Sequence, residues 1–233
     1  MKLVVFSDIH GNLPALDAFL EKIETLSYDA LVFCGDIFGY YYHQKEIIER
    51  LSRLDGLIWL KGNHDEYFLR LYHGMSDEKQ YIQKYGHSYA NVRKRFHEEE
   101  ARLIDRHKPE HQMECNGCRI GIFHGTPENS LEGRLYPDRF VSNPDDYRNY
   151  DLVILGHTHC RMLRKEQNTL IVNSGSLGQP RDGNGFGYAV VDTESLQAEF
   201  GEVTIDRKRL YREIDRYDPD LTKLKEVLER RKA

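Results

Sequence analysis

Side chains that can bind metal ions follow the predicted strands of this 233-residue sequence. Asp8 and His10 come directly after an apolar run at residues 2–6, and Asp36 follows a second apolar run at residues 30–33. The other donors that stand after apolar runs are Asn63, His64, His124, His157 and His159. Because the carboxyl ends of strands in a layered α/β protein form the rim where ligand sites lie, we expect these side chains to converge.

Each of these residues, taken alone, has an ordinary structural explanation. An aspartate after a strand usually caps a helix or a turn, and a single histidine is more often a core or surface residue than a ligand. The pattern as a whole is more specific, because five of the eleven histidines stand at these strand ends. The Asp-x-His pair at residues 8 and 10 and the His-x-His pair at residues 157 and 159 can each present two donors to one site.

The donor atoms belong to carboxylate, amide and imidazole groups, without a thiolate. This set suits divalent manganese, iron, cobalt, nickel or zinc better than a structural zinc site built on cysteines. The number of donors exceeds the need of one ion and matches two ions that share one carboxylate. Four glycines beside the donors permit close backbone approach or a positive φ: Gly35, Gly62, Gly125 and Gly156.

The elements that must position these donors alternate between strands and helices in the first part of the chain. Strand patterns at residues 2–6, 30–33 and 56–60 are separated by apolar residues at helical spacing, and Asn12 and Pro14 are suited to the start of the first helix. Further strand patterns lie at residues 119–123, 152–155, 169–172, 187–191 and 199–205. The sequence therefore predicts an α/β protein with two facing sheets flanked by helices.

Two further segments are helical in pattern. Residues 76–107 are charged and carry a spaced set of tyrosines and aliphatic residues, which predicts a helical insertion or cap. An additional helix packed on the sheet is an equally good interpretation of that segment. Residues 219–232 predict a polar terminal helix with an apolar stripe. Since no repeat, low-complexity tract or Pro/Ser-rich linker divides the chain, we expect one domain over residues 1–233.

The composition excludes several classes of protein. With 39% hydrophobic and 30% charged residues, the chain is typical of soluble globular proteins. Its longest apolar runs, such as residues 152–155, are far shorter than the roughly 20 residues that cross a bilayer. The 33 basic and 38 acidic residues give a net charge of -5, which supplies no general attraction for nucleic acid as a partner.

The four cysteines and the first residues indicate a cytoplasmic protein. Cys34 and Cys160 are isolated, and the N-terminus lacks the pattern of a secretory signal. Cys115 and Cys118 form a single C-x-x-C around Asn116-Gly117, which predicts a hairpin turn rather than a zinc site.

The donors lie in segments that resemble the five motifs of the calcineurin-like metallophosphoesterase superfamily. In chain order the segments are Asp8-Ile9-His10, Gly35-Asp36, Gly62-Asn63-His64-Asp65, His124-Gly125 and Gly156-His157-Thr158-His159. Residues 173–181 resemble a sixth motif of its small single-domain bacterial and archaeal members. The resemblance implies a four-layer αββα sandwich with a dinuclear metal centre. It implies that the first ion is held by Asp8, His10, Asp36 and His159, and the second by Asp36, Asn63, His124 and His157.

This resemblance implies hydrolysis of a phosphoester by a water that bridges two ions about 3.5–4 Å apart. His64, which follows the ligand Asn63, is the candidate for giving a proton to the leaving oxygen. An electrostatic contact to a phosphate oxygen is equally compatible with its position. Arg181 is a candidate for binding substrate phosphate through paired hydrogen bonds, and a surface ion pair with Asp182 or another acid is the alternative.

Departures from the motifs narrow the expected activity. Protein phosphatases and related diadenosine tetraphosphate hydrolases usually continue the second motif with an acidic residue and an arginine, whereas here Ile37-Phe38-Gly39 follow. A DNA-repair nuclease would be expected to carry a longer chain and more basic surface. We therefore expect a phosphodiesterase that acts on a small substrate, for which a nucleotide derivative is one candidate. A phosphomonoesterase is the nearest alternative, followed by a protein phosphatase.

Two further alternatives concern an aromatic run and the loss of catalysis. Tyr40, Tyr41 and Tyr42 can offer a stacking face to a nucleobase, or they can pack a loop.

The alternative to an enzyme is a non-catalytic interaction module of this fold. The retromer subunit that shares the fold is such a module, and it lacks the histidine that His64 matches. The presence of His64 and all seven ligand positions favours the enzyme. The sequence leaves the choice of metal, with manganese among the candidates, and the oligomeric state open.

Overall fold

The computed structural model describes residues 1–230 and contains, within that range, ten strands and eight α-helices. The strands are β1 (Lys2–Phe6), β2 (Ala30–Phe33), β3 (Ile58–Trp59), β4 (Glu110–Cys115), β5 (Cys118–Phe123), β6 (Leu152–Leu155), β7 (Arg161–Glu166), β8 (Thr169–Ser174), β9 (Phe186–Asp192) and β10 (Gln197–Val203). The helices are α1 (Leu13–Ile23), α2 (Gln44–Leu51), α3 (Asn63–Tyr72), α4 (Glu78–Tyr85), α5 (Val92–Arg95), α6 (Glu98–Asp105), α7 (Lys208–Tyr217) and α8 (Lys223–Glu229). Short 3-10 helices lie at His87–Tyr89 and Pro144–Asp146.

The strands form two five-stranded sheets, ordered β10-β9-β1-β2-β3 and β4-β5-β6-β8-β7. Side chains alternate between the two faces of each strand, so one strand supplies two layers of core. Leu3 and Val5 of β1 pack toward the second sheet, in a cluster with residues of β5 and β6. Val4 and Phe6 of the same strand pack toward the helices. The predicted sandwich of two facing sheets with flanking helices is confirmed.

The two outer layers of the sandwich differ in kind. The apolar faces of α1, α2, α3 and the later helices join one cluster on the outer face of the first sheet. The outer face of the second sheet packs against Leu135, Val141 and Tyr147, in a segment whose regular structure is the 3-10 helix at Pro144–Asp146. Among residues 1–230 there is no helix with the length and apolar character needed to span a membrane.

Several elements differ from the sequence expectation. The strands β4 and β7 were not predicted, because edge strands with many exposed polar residues carry little apolar pattern. The helix α7 was also missed, since its only buried residues, Leu210 and Ile214, stand among many charged ones. The predicted terminal helix at residues 219–232 begins later, at Lys223, and residues 231–232 of that prediction lie outside the described residues. The Cys115–Cys118 turn is a hairpin turn, with positive φ at Asn116 and Gly117.

Strand register brings the carboxyl ends of the parallel strands level with one another. In the first sheet, Phe6 pairs with Phe33 and Phe33 pairs with Trp59. In the second sheet, Phe123 pairs with Leu155. The loops that follow these residues therefore begin at one rim of the sandwich.

The helical segment at residues 76–107 lies beside this rim and is tied to the end of the chain's described part. It contains α4, the His87–Tyr89 turn, α5 and α6. Buried Asp218 accepts hydrogen bonds from Nδ1 of His87 (2.7 Å) and from the hydroxyl of Tyr42 (2.7 Å). The carboxylate thus joins the helical segment, the loop after β2 and the start of the α8 region. Two statements stay predictions: that the helical segment at residues 76–107 acts as a cap, and that the chain forms one domain.

Candidate metal centre

The loops at the rim bring the predicted donors together in the interior. Each of the seven side chains is at most 6% exposed: Asp8, His10, Asp36, Asn63, His124, His157 and His159. The three groups of close donors are Asp8, His10 and His159; His10, Asp36 and His64; and Asp36, His124 and His157. Residues up to 151 positions apart in sequence therefore lie within one site.

Five of the seven proposed ligands adopt a left-handed backbone conformation. Their φ values are 56° for Asp8, 51° for His10, 70° for Asp36, 66° for His157 and 59° for His159. A positive φ is uncommon outside glycine, and such strained residues gather at functional sites at a cost of about 1–3 kcal/mol each. The loops are held to one another, with the amide of Asp8 bonded to Gly35 O (2.9 Å) and that of His10 to Asp36 O (3.1 Å).

In the first group of donors, atoms that carry lone pairs and no proton lie close to one another. His10 donates its Nδ1 proton to Phe38 O (2.6 Å), and His159 donates its own to Gln179 O (2.7 Å). Both rings in their neutral form then present an Nε2 lone pair, and the two Nε2 atoms are 3.0 Å apart. Oδ1 of Asp8 is buried without a hydrogen-bond partner, 3.3 Å from Nε2 of His159.

The second group has the same character at His124, Asn63 and Asp36. His124 donates its Nδ1 proton to Cys34 O (2.7 Å), so its Nε2 lone pair faces Oδ1 of Asn63 at 3.1 Å. Oδ2 of Asp36 lies 3.4 Å from the same Nε2. The ring of His157 is 5.0 Å from that of His124, between centroids. Acceptor atoms that converge in this way without protons between them fit a cation.

Asp36 lies between the two groups. Its Oδ2 is 3.8 Å from Nε2 of His10 in the first group and 3.4 Å from Nε2 of His124 in the second. Its Oδ1 accepts the amide proton of His64 (2.8 Å). A Cβ atom at Gly62 would collide with this carboxylate, which explains the glycine at that position.

Electrostatics of the protein alone disfavour two carboxylates in this place. Burial, followed by repulsion from Asp8 and Asp65, raises the pKa of Asp36 well above its usual value. Burial also lowers the pKa of His10 and His159, so their rings are neutral at pH 7. Divalent cations reverse this balance, since they stabilise the carboxylate and bind neutral imidazole. The donor set and the buried Oδ1 of Asp8 therefore fit the two metal ions that the motifs imply.

His64 lies at the edge of the centre with one ring nitrogen held. Its ring centroid is 4.8 Å from that of His10, and Nδ1 is 2.8 Å from the hydroxyl of Tyr89, which also lies 3.1 Å from His64 O. Because the one hydroxyl proton of Tyr89 goes to His64 O, the neutral ring donates its Nδ1 proton to the hydroxyl oxygen and leaves its Nε2 lone pair facing the site. Burial lowers the pKa of His64 well below its usual value. By distance alone His64 also reaches the donors His10 and Asp36.

Sequence reasoning gave no role to three residues that shape the site. The buried carboxylate of Asp65 accepts amide protons of Asp36 (3.0 Å), Ile37 (2.8 Å) and Gly62 (2.9 Å), which fixes two ligand loops. Tyr89 orients His64, and Arg134 donates from Nε to Nε2 of His157 (2.9 Å). Asp65 belongs to the third motif and Tyr89 to the spaced tyrosines of residues 76–107, but no local pattern at these residues or at Arg134 indicates the contacts that they make.

Residues of the predicted sixth motif donate hydrogen bonds to two of the ligand loops. The Ser176 hydroxyl donates to Asp8 O (2.7 Å), and the side-chain amide of Asn173 donates to Gly156 O (2.7 Å). Arg181 is half-buried and donates from Nη2 to the hydroxyl of Tyr40 (2.8 Å) and to Oε1 of Gln179 (2.9 Å).

The alternative pairing of Arg181 with Asp182 is absent among the described residues. Asp182 instead accepts the amide protons of Arg161 (2.8 Å) and Asn184 (3.0 Å). Arg181 therefore faces the site side of this loop rather than a neighbouring acid.

The three consecutive tyrosines, Tyr40 to Tyr42, have different surroundings: two pack the loop and one adjoins the metal centre. Tyr41 is fully buried and donates to Leu224 O (3.1 Å), and Tyr42 donates to Asp218. Tyr40 alone adjoins the centre, with its ring 4.7 Å from that of His10. The loop-packing interpretation thus holds for two of the three tyrosines.

Comparison with known proteins gives the same assignment. Residues 1–196 match the calcineurin-like phosphoesterase superfamily domain. The chain is 30% identical over 231 residues to an uncharacterized protein of Methanocaldococcus jannaschii, MJ0912, with 91% of each chain covered. It is 23% identical over 212 residues to phosphodiesterase MJ0936 of the same organism, which covers 88% of this chain and 100% of the relative.

A solved structure shares the fold over the whole chain. The crystal structure of a metallophosphoesterase from Sphaerobacter thermophilus superposes with a TM-score of 0.77 at 21% identity, covering 99% of each chain. The family match itself spans well over half of the chain and includes every proposed ligand. The protein therefore belongs to the calcineurin-like phosphoesterase superfamily and is a phosphoric ester hydrolase whose cofactors are divalent metal ions.

Proposed function

We propose that this protein is a phosphodiesterase that hydrolyses a small phosphodiester. The observation that carries the proposal is the convergence of two groups of acceptor atoms on Asp36, with His64 close to His10 of the first group. Two divalent ions at such a site lower the pKa of water and withdraw charge from the phosphoryl oxygens. The name of the relative MJ0936 supports the choice of a diester over a monoester.

The chain's own side chains supply the remaining chemistry in this proposal. The ligands are Asp8, His10, Asp36, Asn63, His124, His157 and His159. His64 presents Nε2 to the leaving oxygen, with its ring held by Tyr89 at Nδ1. With Nδ1 donating to Tyr89, Nε2 gives a proton to the leaving oxygen from the protonated ring, and burial, which lowers the pKa of His64, makes that ring a stronger acid.

Arg181 completes the proposed site as a ligand for a substrate phosphate. Its Nη2 donates hydrogen bonds to Tyr40 and Gln179, and in this proposal the two bonds keep the guanidinium on the side of the loop that faces the metal centre. A cytoplasmic setting, with a small phosphoester as the partner, agrees with the four cysteines, which are all free thiols in the structure.

The test is a metal-by-substrate screen on the purified, chelator-treated protein. Bis(p-nitrophenyl) phosphate and p-nitrophenyl phosphate release the same chromophore, so their rates compare a diester with a monoester directly. We expect faster release from the diester with manganese or another of the five candidate metals, and loss of the activity on chelation. Faster release from the monoester would establish the phosphomonoesterase alternative, and no release with any metal would favour a non-catalytic module.

A further inference from the structure

A cleft of about 220 Å³ lies beside the metal centre, between α4, α8 and the loops that carry Tyr40 and Arg181. Its lining includes Lys84 of α4, Lys223 of α8 and Gln179. Tyr85 and Leu224 supply apolar surface to the same cleft. The segments at residues 76–107 and after residue 218, which lie outside the motifs, therefore build much of this space.

The cleft is separated from the ligand histidines by one layer of side chains. The ring of Tyr40 is 4.7 Å from that of His10 and 6.4 Å from that of His159, between centroids. The carbonyl of Gln179 accepts the Nδ1 proton of His159. A group bound in the cleft would thus lie within the length of a small substrate from the reacting phosphorus.

The charge of the cleft is strongly positive in a chain whose net charge is -5. Four of its lining residues are cationic: Lys84, Arg181, Lys223 and Arg230. Within residues 1–230, none of them forms a salt bridge, whereas Arg161 and Arg164 pair with glutamates at 2.7 and 2.5 Å. Unpaired cations grouped in a concave site attract an anion.

Two contacts arrange these cations around the cleft. Nζ of Lys223 donates to Lys84 O (2.8 Å), which joins α8 to the end of α4. Arg181 donates from Nη2 to Tyr40, and its other guanidinium nitrogens have no hydrogen-bond partner in the described chain. Tyr40 itself holds a φ of 61°, which is strained for a tyrosine and places its ring in the wall.

We infer that this cleft binds a second phosphate of the substrate, beyond the ester that is hydrolysed. The inference rests on the proposed function and names its substrate class: a phosphodiester in which one esterified group carries a terminal phosphomonoester. A dianionic phosphate has several acceptor oxygens and can be contacted by Lys84, Arg181 and Lys223 together. The sugar or other spacer between the two phosphates would lie against Tyr40.

The test uses two substrates that differ only in the second phosphate. They are the p-nitrophenyl ester of thymidine 5′-phosphate and its 3′-phosphorylated counterpart, which lose the same leaving group. We expect the metal-loaded wild-type protein to show a kcat/KM at least about tenfold higher for the 3′-phosphorylated ester, the effect of one hydrogen bond to a charged group. The Lys84→Gln/Lys223→Gln double variant should lose this preference through a higher KM.

Lys79→Gln is the matched control, because Lys79 is an exposed lysine of the same helix α4 and does not line the cleft. It should keep the wild-type preference. Equal kcat/KM for the two esters in wild type, or a preference that persists in the double variant, would overturn the inference. If neither ester nor bis(p-nitrophenyl) phosphate is hydrolysed, the proposed function fails, which is a different result from hydrolysis without preference.

Discussion

The two ligand groups of the metal centre differ in how their histidines are held. In the first group, His10 and His159 both donate Nδ1 protons to buried backbone carbonyls. In the second group His124 does the same, but Nε2 of His157 accepts a hydrogen bond from Arg134, an exposed residue in a loop. A backbone carbonyl moves only if its whole loop moves, whereas the exposed side chain of Arg134 can change conformation by itself.

This difference predicts unequal ion binding by the two groups. A histidine whose other nitrogen is fixed by the backbone is oriented before the metal arrives, and such outer contacts strengthen binding by about 10–100-fold. The contact to His157 instead occupies its Nε2 lone pair and places a positive charge beside a ligand. We therefore expect the first ion to bind more tightly than the second.

The largest effect should come from the residue that both groups share. Asp36→Asn removes the negative charge between the groups, so we expect both ions to be lost and turnover to fall by more than about 100-fold. Elemental analysis and kcat/KM for an aryl diester measure the two effects. Exposed Asp55→Asn is the matched control. Retention of both ions with near-normal turnover would show that Asp36 does not join the groups.

His64→Gln should remove chemistry while leaving both ligand groups intact. General acid catalysis or its hydrogen-bonding equivalent contributes about 10²–10⁴-fold, and we expect a loss in that range for an alkoxide leaving group. For an aryl leaving group the loss should be smaller, since that group needs less help to depart. Equal losses for both would indicate charge stabilisation of the phosphoryl group, and loss of metal would make His64 a structural ligand.

Single ligand changes in each group separate the two ions. His159→Gln should weaken the first ion by about 100-fold, and His157→Gln should weaken the second by about tenfold, because only His159 is fixed by the backbone. Titration of the metal-free variants with manganese, followed by calorimetry, measures both affinities. The same loss in both variants would refute the proposed difference between the groups.

The metal-free protein should be more stable with Asp36→Asn than without it. The folded-state pKa of Asp36 is raised, so the folded protein binds a proton that the unfolded chain has lost, and stability falls as pH rises above about 4. The histidines have lowered pKa values and weaken stability only below about pH 6.5.

At pH 7–8 only the Asp36 contribution remains among these groups. Urea unfolding of the chelated proteins should show a higher free energy of unfolding for the variant, since asparagine carries no charge that burial disfavours. A variant that is less stable than wild type at this pH would show that the ionised carboxylate is favoured by the fold itself.

The smallest effect concerns Arg134. Its guanidinium accompanies His157 and repels an incoming cation, so Arg134→Ala should tighten the second ion by about threefold and leave the first unchanged. The same manganese titration detects this change. Weaker binding of the second ion would mean that Arg134 orients His157 more than it repels the metal.

The ligands could be predicted because their residue types and positions after strands are local properties. Asp8 and His157 follow continuous apolar runs, and the packing of the two sheets then brings them together, so that the amide of His157 donates to Oδ2 of Asp8 (3.1 Å). Tyr89 and Arg134 could not be found in this way, since their contacts depend on how residues 76–107 and 126–151 cross the rim. Edge strands such as β4 were missed for a related reason: their side chains are mostly exposed, so no apolar alternation marks them.

Asp218 gives the assembly of the site an order in time during synthesis. The carboxylate that holds Tyr42 and His87 is translated 176 residues after Tyr42 and 131 residues after His87. The loop after β2 and the His87 turn are therefore synthesised, together with all the strands of both sheets, before the Asp218 carboxylate can bind them. A nascent chain that ends before Asp218 would hold every proposed metal ligand and still lack the carboxylate that joins the loop after β2 to the His87 turn, so the ability to bind metal should come before the full ordering of these two segments.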